Sequence, residues 1–206
     1  MVRSLKRKGV HESVSRWIET LLMSRRVSAE QSGCSVTRTV TRGCPQGGVL
    51  SPLLWCLVVD ELLVTLNRIK IANLHVQFYA DDGTIMIVGP NLARLSRGMQ
   101  TVLTKMEAWL RKSLLSVNPL KTEMVIFTNK RNTDGLVAPI LFGEQLRLQP
   151  VVKYLGVFLD SKLSWRVHLD EKSRQMSNSL FQLKRAIGPK WGLSPKVMSL
   201  VVVCEP

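Results

Sequence analysis

Two short β-prone segments on either side of four turn-forming residues constrain the fold of this chain more than any other feature. The segments at residues 75–79 and 84–88 are rich in β-branched and aromatic residues, and Ala80-Asp81-Asp82-Gly83 separates them. This pattern is typical of a β-hairpin with a tight turn. The sequence therefore predicts a hairpin whose turn carries two adjacent carboxylates.

Adjacent acids at the tip of an otherwise hydrophobic hairpin indicate a site for a cation. Asp81 and Asp82 would repel each other and be costly to desolvate without a partner, so a positive group is expected beside them. Mg²⁺ takes carboxylate oxygens together with substrate phosphates, and two such ions can clamp the oxygens of a phosphoryl transfer. Asp-Asp-Gly is also a common hairpin turn, and these residues alone do not separate the two interpretations.

Helical spacing of apolar residues recurs through much of the chain. Spacings of three and four residues predict amphipathic helices, and Ser51-Pro52 predicts a helix start with Ser as N-cap and Pro at the first helical position. The run as far as Leu66 is so apolar that its helix is expected to be largely buried. The predicted helices lie at residues 10–25, 51–66, 92–110 and 164–187, and Gly188-Pro189 ends the last of them.

Strand-like segments lie between these helices. Val36 and Val40 alternate with polar residues, and the glycines and proline of residues 42–48 indicate a loop. Three further strands are expected at residues 123–128, at 139–148 with Gly143-Glu144 as its turn, and at 153–159. The order of elements predicts the α+β class, an antiparallel sheet with helices packed on one face.

Charge narrows the class of partner. The chain has 29 Lys and Arg against 15 Asp and Glu, a net charge of +14, with the basic residues spread along its length. A protein this basic is drawn to polyanions, of which nucleic acid is the commonest. The spread of charge suits a groove better than a disordered tail, and a generally basic protein is the plain alternative.

Cysteine and hydropathy patterns point to an intracellular protein without a membrane span. The four cysteines form no C-x-x-C pair and have no histidines at zinc spacing, so neither a zinc site nor a disulfide framework is expected. No stretch reaches the roughly 18 apolar residues of a membrane helix. The longest candidate, residues 49–66, is interrupted by Asp60 and Glu61.

Four segments, in order, resemble the motifs of reverse transcriptases. Residues 42–52 read Arg-Gly-Cys-Pro-Gln-Gly-Gly-Val-Leu-Ser-Pro, and residues 78–82 read Phe-Tyr-Ala-Asp-Asp, similar to the Y/F-x-D-D motif. Residues 116–123 and 154–160 resemble the next two motifs. The residues of these motifs are most similar to those of the enzymes of non-LTR, LINE-like retrotransposons of insects. The resemblance covers essentially the whole chain, including residues 191–195.

The resemblance implies an RNA-directed DNA polymerase, a nucleotidyltransferase that adds dNTPs to a primer 3′-OH by a two-metal mechanism. Two Mg²⁺ ions are expected in the intact enzyme, with Mn²⁺ as a substitute. The implied metal-binding residues are Asp81 and Asp82, the implied catalytic residues are these two and Lys121, and the implied nucleotide-binding residues are Gln46, Gly47, Gly48 and Tyr79. An ordinary glycine turn and a solvated lysine remain the structural alternatives.

The second half of the chain would hold the primer and the duplex. The implied primer grip is Tyr154, Leu155 and Gly156, and the implied contacts to the nucleic-acid backbone are Arg166, Lys172, Arg174, Lys184 and Arg185. A packed strand with a tight turn and a solvated helix face are the alternatives. Residues 1–162 would be the palm of a right-hand polymerase with a remnant of the fingers, and residues 163–206 the beginning of a helical thumb.

The resemblance also implies partners. These are an RNA template, a DNA primer and dNTPs, together with the upstream fingers and palm segment and the endonuclease of a longer polyprotein. No membrane is expected among them. The expected location is the nucleus or a cytoplasmic ribonucleoprotein, which the sequence does not distinguish.

Two departures from the family pattern affect the expected activity. The upstream strand with a further metal-binding aspartate, of the form D-x-x-x-A-F-D, is not found here. Gly83 stands where the family usually has a larger apolar residue, and this glycine is expected to loosen the hairpin. A two-metal site with one ligand missing should bind metal weakly, so the chain alone is expected to be inactive or nearly so. The alternative function is a non-catalytic, nucleic-acid-binding remnant of such an enzyme.

Overall fold

The fold combines α-helices with short β-strands. The computed structural model describes residues 2–23, 25–40, 42–130 and 135–185. The helices are α1 (Val2–Arg7), α2 (Glu12–Met23), α3 (Ser51–Asn67), α4 (Leu92–Ser113) and α5 (Arg166–Arg185), with a 3-10 helix at Pro119–Lys121. The strands are β1 (Arg25–Gln31), β2 (Cys34–Val40), β3 (Leu74–Tyr79), β4 (Asp82–Ile87), β5 (Glu123–Met124), β6 (Ile140–Leu141), β7 (Glu144–Gln145), β8 (Arg147–Leu148), β9 (Val151–Tyr154) and β10 (Val157–Asp160). The mixture of helix and strand confirms the predicted class at that level.

The expectation of one antiparallel sheet is wrong for the described residues. The strands pair two by two, in the order β1-β2, β3-β4, β5-β8, β6-β7 and β9-β10. Four pairs are antiparallel and β5-β8 is parallel. Several of these strands are only two residues long, too short to present the row of backbone groups that a wider sheet needs.

The chain divides into two compact units. The first comprises Met1–Thr122 and Asn132–Leu146, and the second Glu123–Arg131 and Arg147–Pro206. The predicted boundary between palm and thumb, at residues 162 and 163, lies within the second unit and stays a prediction. Gly188-Pro189 and residues 191–195 lie outside the described residues. None of the described helices is both long and apolar enough to cross a membrane.

A small core in the first unit joins α1, α2 and α3. Leu5, Ile18 and Leu54 are buried together. Cys44, within the predicted loop, and Leu50, just after it, pack against them. The predicted helix at residues 10–25 is confirmed as α2, whereas α1 was not predicted because its six residues hold few apolar positions. The core therefore anchors the glycine loop at Cys44, and the chain just after the loop at Leu50.

The start of α3 differs from the prediction. The N-cap is Leu50, whose side chain makes no capping bond, and Ser51 is the first helical residue. The Ser51 hydroxyl instead donates to the carbonyl of Pro45, 2.5 Å away. The helix is not largely buried either: Leu54, Val59, Leu62 and Leu66 are buried, while Leu53 and Cys56 are exposed. Hydropathy overstated its burial because a uniformly apolar helix has no polar face to mark its exposed side.

The predicted hairpin at residues 75–88 is confirmed. Strands β3 and β4 pair antiparallel from Leu74 opposite Ile87 to Tyr79 opposite Asp82, so the turn proper is Ala80-Asp81 and Asp82 already belongs to a strand. Exposure alternates along β3, with Val76 and Phe78 partly buried and Gln77 and Tyr79 exposed. Helices α3 and α4 pack against this hairpin. Tyr79 and Asp82 therefore share its exposed face.

Helix α4 is confirmed, and it organises the segment that follows residue 136. Asn91 caps its start by accepting from the Arg94 amide, 3.0 Å away. The predicted strand at residues 139–148 is interrupted: β6 and β7 form a hairpin whose turn is Phe142-Gly143, not Gly143-Glu144. Both turn residues have positive φ, 51° and 86°, which is the conformation a two-residue hairpin turn demands.

In the second unit, two predicted strands are revised. The strand expected at residues 153–159 is the β9-β10 hairpin, because Leu155 and Gly156 both have positive φ and turn the chain back. The strand at residues 123–128 is reduced to Glu123–Met124. The predicted helix at residues 164–187 is confirmed as α5 over Arg166–Arg185.

Candidate active site

The tip of the β3-β4 hairpin presents two carboxylates to solvent. Asp81 lies in the turn and Asp82 begins β4, and both are exposed. Tyr79, directly opposite Asp82, is 64% exposed. Because neither acid is buried, the predicted cost of desolvating them does not apply in this structure. The two neighbouring carboxylates still repel each other, and a cation would relieve that repulsion.

Phe78 accounts for the glycine that departs from the family pattern. Phe78 and Gly83 are cross-strand partners. A Cβ at position 83 would lie 2.5 Å from Cε1 of Phe78, closer than any van der Waals contact allows. The ring thus fills the space above Gly83, immediately next to the Asp81-Asp82 turn.

The predicted nucleotide loop is a tight turn at residues 45–48. The Gly48 amide donates to the Pro45 carbonyl at 3.2 Å, and Gly47 has φ of +77°. A positive φ at the third position of a four-residue turn favours glycine. At Gly48, an added Cβ would lie 2.8 Å from the Ser51 hydroxyl oxygen. Gln46 and Gly47 are exposed, so their side chain and backbone are accessible from solvent.

Arg25 fixes the residues that precede this loop. Its guanidinium donates to the carbonyls of Arg42 and Gly43, both at 2.8 Å, and to that of Leu22 at 3.1 Å. Sequence reasoning gave Arg25 no role, since an arginine at the end of a helix is usually solvated. The contact ties the end of α2 to the beginning of the loop.

Trp55 joins helix α3 to the hairpin turn that carries Asp81. Its indole N–H donates to the carbonyl of Ala80, 2.5 Å away. Ala80 precedes Asp81 and has a left-handed φ of 51°. Trp55 received no role from the sequence, although one signal was present: a tryptophan within an apolar helix carries an indole N–H that needs an acceptor when it is buried. The structure thereby links two of the predicted motifs.

Lys121 ends the 3-10 helix Pro119–Lys121 and is exposed. Asn118 caps this helix by accepting from the Leu120 amide at 3.0 Å, and its carbonyl accepts from the Lys121 amide at 3.2 Å. Among the described residues, no hydrogen bond or ion pair connects Lys121 to Asp81 or Asp82. Its assignment to the triphosphate stays a prediction.

The predicted primer grip is the β9-β10 turn of the second unit. Leu155 and Gly156 form the turn, and Tyr154 pairs with Val157 across it. The Tyr154 hydroxyl is buried without a hydrogen-bond partner in the described residues. A buried hydroxyl left in this state costs about 1–3 kcal/mol.

The basic residues predicted to contact nucleic acid all lie on α5 and are exposed. Arg174 is already engaged, because its guanidinium donates to both carboxylate oxygens of Glu171 at 2.9 and 2.7 Å. Arg185 lies over the ring of Phe181, 5.6 Å from its centroid. The other three are Arg166, Lys172 and Lys184.

The donor chemistry of the hairpin turn fits a hard divalent cation but offers an open site. Carboxylate oxygens are the ligands that Mg²⁺ prefers, and Mg²⁺ is commonly held by one or two carboxylates together with water and substrate phosphates. Across the described ranges, no group of three or more His, Cys, Asp or Glu side chains could hold a metal. Asp81 and Asp82 are thus candidates for ligands of a shared, substrate-completed site.

Two of the four predicted motifs, the glycine loop and the turn that carries Asp81, are joined in the structure through α3. The chain belongs to the reverse transcriptase (RNA-dependent DNA polymerase) family, which matches residues 2–159. This assignment confirms the predicted family, a family of nucleotidyltransferases. No solved structure matches the chain.

Its relatives are polymerases of insect non-LTR retrotransposons. It is 27% identical to the Pol polyprotein of the type-1 retrotransposable element R1 of Bradysia coprophila, over 81% of this chain and 16% of the relative. It is 32% identical to a probable RNA-directed DNA polymerase from transposon BS of Drosophila melanogaster, over 82% and 19%. It is 24% identical to the RNA-directed DNA polymerase from mobile element jockey of Drosophila melanogaster, over 78% of this chain and 18% of the relative. The chain spans less than a fifth of the length of these three relatives.

Proposed function

We propose that this chain supplies part of the catalytic centre of a non-LTR retrotransposon polymerase, which adds dNTPs to a primer 3′-OH along an RNA template. The observation that carries the proposal is the exposed Asp81-Asp82 turn, bonded through Trp55 to the helix that follows the glycine loop. Family membership supports it. Fixed groups of this kind promote phosphoryl transfer chiefly by positioning and electrostatic stabilisation.

Each residue has a role in this proposal. Asp81 and Asp82 hold Mg²⁺, which when bound supplies charge neutralisation at the reacting phosphate. The turn at residues 45–48 and Tyr79 bind the incoming nucleotide, since glycines let backbone amides approach a ligand closely. Lys121 stabilises the triphosphate. In the second unit, the Tyr154–Gly156 turn holds the primer, and the cations of α5 bind duplex phosphates.

The architecture and surroundings of the enzyme are part of the same proposal. Residues 1–162 are the palm with a remnant of the fingers, and residues 163–206 begin the thumb. The RNA template, the DNA primer, the remaining palm and fingers segment and an endonuclease of a longer polyprotein are its partners. It acts inside the cell, in the nucleus or in a cytoplasmic ribonucleoprotein.

The function is best tested in the context of a longer relative. Residues 2–159 replace the matching segment of the jockey polymerase, and primer extension on an RNA template is measured with Mg²⁺. We expect DNA synthesis that Asp81→Asn or Asp82→Asn reduces by about a hundred- to a thousandfold, as expected when a group that stabilises transition-state charge is lost. Glu30→Gln, an exposed acid of the β1-β2 hairpin, is the matched control and should keep full synthesis.

A non-catalytic, nucleic-acid-binding role is the second candidate. It is favoured by the open carboxylate pair, which no third donor joins in the described part of the chain, and by the net charge of +14. A chimera that folds and binds primer–template but synthesises no DNA would favour this role and contradict the first. Synthesis that survives Asp81→Asn would contradict the assignment of the carboxylates.

The 206-residue chain by itself is expected to extend a primer weakly or not at all. Two carboxylates without a third donor should bind and orient Mg²⁺ poorly. Primer extension with Mg²⁺ and with Mn²⁺ checks this expectation. Robust synthesis that depends on Asp81 would contradict the weak-binding argument while supporting the polymerase assignment.

A further inference from the structure

The first turn of α3 reaches both halves of the candidate site. The Ser51 hydroxyl donates to the Pro45 carbonyl of the glycine loop, and Trp55, one helical turn later, donates to the Ala80 carbonyl of the carboxylate turn. Residues four apart lie on the same side of an α-helix. One rigid turn of helix therefore holds a backbone carbonyl from each of the two predicted motifs.

The bond to Ala80 acts at a strained position of the turn. Ala80 is held in the left-handed region, at φ 51°, which is unfavourable for a residue other than glycine. Its carbonyl belongs to the peptide plane shared with Asp81, so the indole bond fixes that plane. Without it, the turn could relax to a less strained conformation and re-aim the Asp81 carboxylate.

The other two tryptophans described in the first unit do not bond to the hairpin turn. Trp109, on α4, has a buried indole N–H with no partner among the described residues. Trp17, on α2, is more than half exposed. Trp55 is half-buried, and its N–H is bonded to the one carbonyl that directly precedes the carboxylates.

We infer that Trp55 is a positioning residue for the metal-binding carboxylates. Its indole N–H holds the turn that carries Asp81 and Asp82 in a fixed position relative to the glycine loop. This inference rests on the proposed function, since it takes Asp81 and Asp82 as the metal ligands. Trp55 acts through its bond to the Ala80 carbonyl and is not itself proposed as a ligand of metal or nucleotide. Its removal weakens metal binding through the turn.

The test is a titration of the 206-residue, ¹⁵N-labelled chain with Mn²⁺, followed by NMR. Bound Mn²⁺ broadens the signals of nearby protons, so even a weak site is located by the residues that broaden first. In the wild-type chain, the amides of Asp81 and Asp82 and the indole N–H of Trp55 should broaden together, and Mg²⁺ should reverse the effect. The paired change Asp81→Asn/Asp82→Asn should abolish it.

Trp55→Phe keeps an aromatic ring and removes the donor. Because one hydrogen bond contributes about 0.5–1.5 kcal/mol, equal broadening should require about two- to tenfold more Mn²⁺. The ratio of broadening between Asp81 and Asp82 should also change, which a general loss of stability would not cause. Trp109→Phe, the same substitution at an unbonded indole, should leave the titration unchanged even where it lowers the Tm.

The outcomes separate the two proposals. If Asp81→Asn/Asp82→Asn abolishes the broadening but Trp55→Phe titrates like wild type, Trp55 has no positioning role and only this inference fails. Equal weakening by Trp109→Phe overturns it as well. If the asparagine changes leave the broadening intact, the carboxylates are not the metal ligands and the proposed function fails with it. The broadening of the Trp55 indole is measured on the wild-type chain, so its absence counts against the inference without any variant.

Discussion

At the residue scale, the ring of Phe78 and the missing side chain of Gly83 complement each other. The ring of Phe78 lies where a side chain at position 83 would be, and the two are direct partners across the hairpin. From the sequence, Gly83 was expected to loosen the hairpin. The structure offers a compensation, because an aromatic ring over a cross-strand glycine shields the backbone and restores packing on that face.

This compensation predicts that substitutions at the two positions are not additive. Gly83→Val alone should reduce the free energy of unfolding by about 1–3 kcal/mol, since the new side chain collides with the ring. In a Phe78→Ala background, the same change should be neutral or stabilising, because valine favours strands and the space is empty. A double-mutant cycle by chemical denaturation measures the difference. Additive effects would mean that the ring moves away freely.

Side chains that bond to backbone were the hardest features to predict. Ser51 was expected to cap α3 but bonds to Pro45, and Trp55 and Arg25 received no role. Sequence pattern identifies which residues prefer caps or cores, but which carbonyl a donor meets depends on contacts remote in sequence. The carboxylate pair and the glycine turn could be found because local spacing alone places them in turns.

At the element scale, α4 substitutes for a missing strand partner. The side-chain amide of Gln100 donates to the Ile140 carbonyl at 3.0 Å and accepts from its amide at 2.7 Å. Glu107 accepts from the Phe142 amide at 2.6 Å. The β6-β7 hairpin is two residues long on each side, so these bonds complete a ladder that would otherwise end in solvent.

Removing this amide should loosen the β6-β7 hairpin. Gln100→Ala leaves both backbone groups of Ile140 without their partner and should lower the free energy of unfolding by about 1–2 kcal/mol. The amides of residues 140–145 should exchange their hydrogens faster. Thr101→Ala is the control, because that hydroxyl bonds only within its own helix. Unchanged exchange at Ile140 in the Gln100 variant would show that the side-chain bonds are dispensable.

The approach to α5 depends on a carboxylate. Asp160 accepts from the Ser164 amide at 2.7 Å and from its hydroxyl at 2.6 Å. The hydrogen bond from the Ser164 side chain is the main reason that the pKa of Asp160 is lowered from its ordinary value of 3.8. Hydrogen bonds to the ionised form have this effect because they favour the charged carboxylate.

A lowered pKa fixes the sign of the pH dependence. The stabilisation from Asp160 is fully present above pH 3.8 and is lost as the pH falls through the lower, folded-state pKa. In an NMR titration, the Ser164 amide should therefore shift with a midpoint below 3.8. Asp160→Asn should abolish that transition and unfold more easily than wild type at neutral pH, with the difference shrinking in acid. A midpoint at or above 3.8 would contradict the hydrogen-bonded assignment.

Long periodic elements were predictable and short pairings were not. Helices α2, α4 and α5 and the β3-β4 hairpin follow from spacing that is repeated over many residues. Strand β1 was missed because Val27 and Ala29 are its only apolar residues, and it exists by pairing with β2 around Ser32-Gly33. The β9-β10 turn was read as continuous strand since Leu155, an apolar residue, occupies a left-handed position. Pairing across a turn is a property that no single segment encodes.

At the scale of the whole molecule, charge is the property that acts over distance. A net charge of +14 attracts nucleic acid regardless of sequence. Specific phosphate contacts add to this attraction, and each one releases counterions from the nucleic acid. If affinity arises from the general charge, every lysine should contribute similarly to the salt dependence. If it arises from a docked helix, the lysines of that helix should contribute most.

The salt dependence of binding distinguishes these two sources. Lys172 and Lys184 are exposed on α5, and Lys70 is an exposed lysine of the first unit outside the predicted contacts. If α5 docks on duplex phosphates, Lys172→Ala and Lys184→Ala should each reduce the slope of log K against log salt by about one, measured by fluorescence anisotropy with an RNA–DNA duplex. Lys70→Ala removes the same charge and should change the slope little. Glu171→Gln should strengthen binding, because it releases the Arg174 guanidinium that the carboxylate now occupies. Equal effects of all three lysines would assign the affinity to net charge and remove α5 from the binding surface.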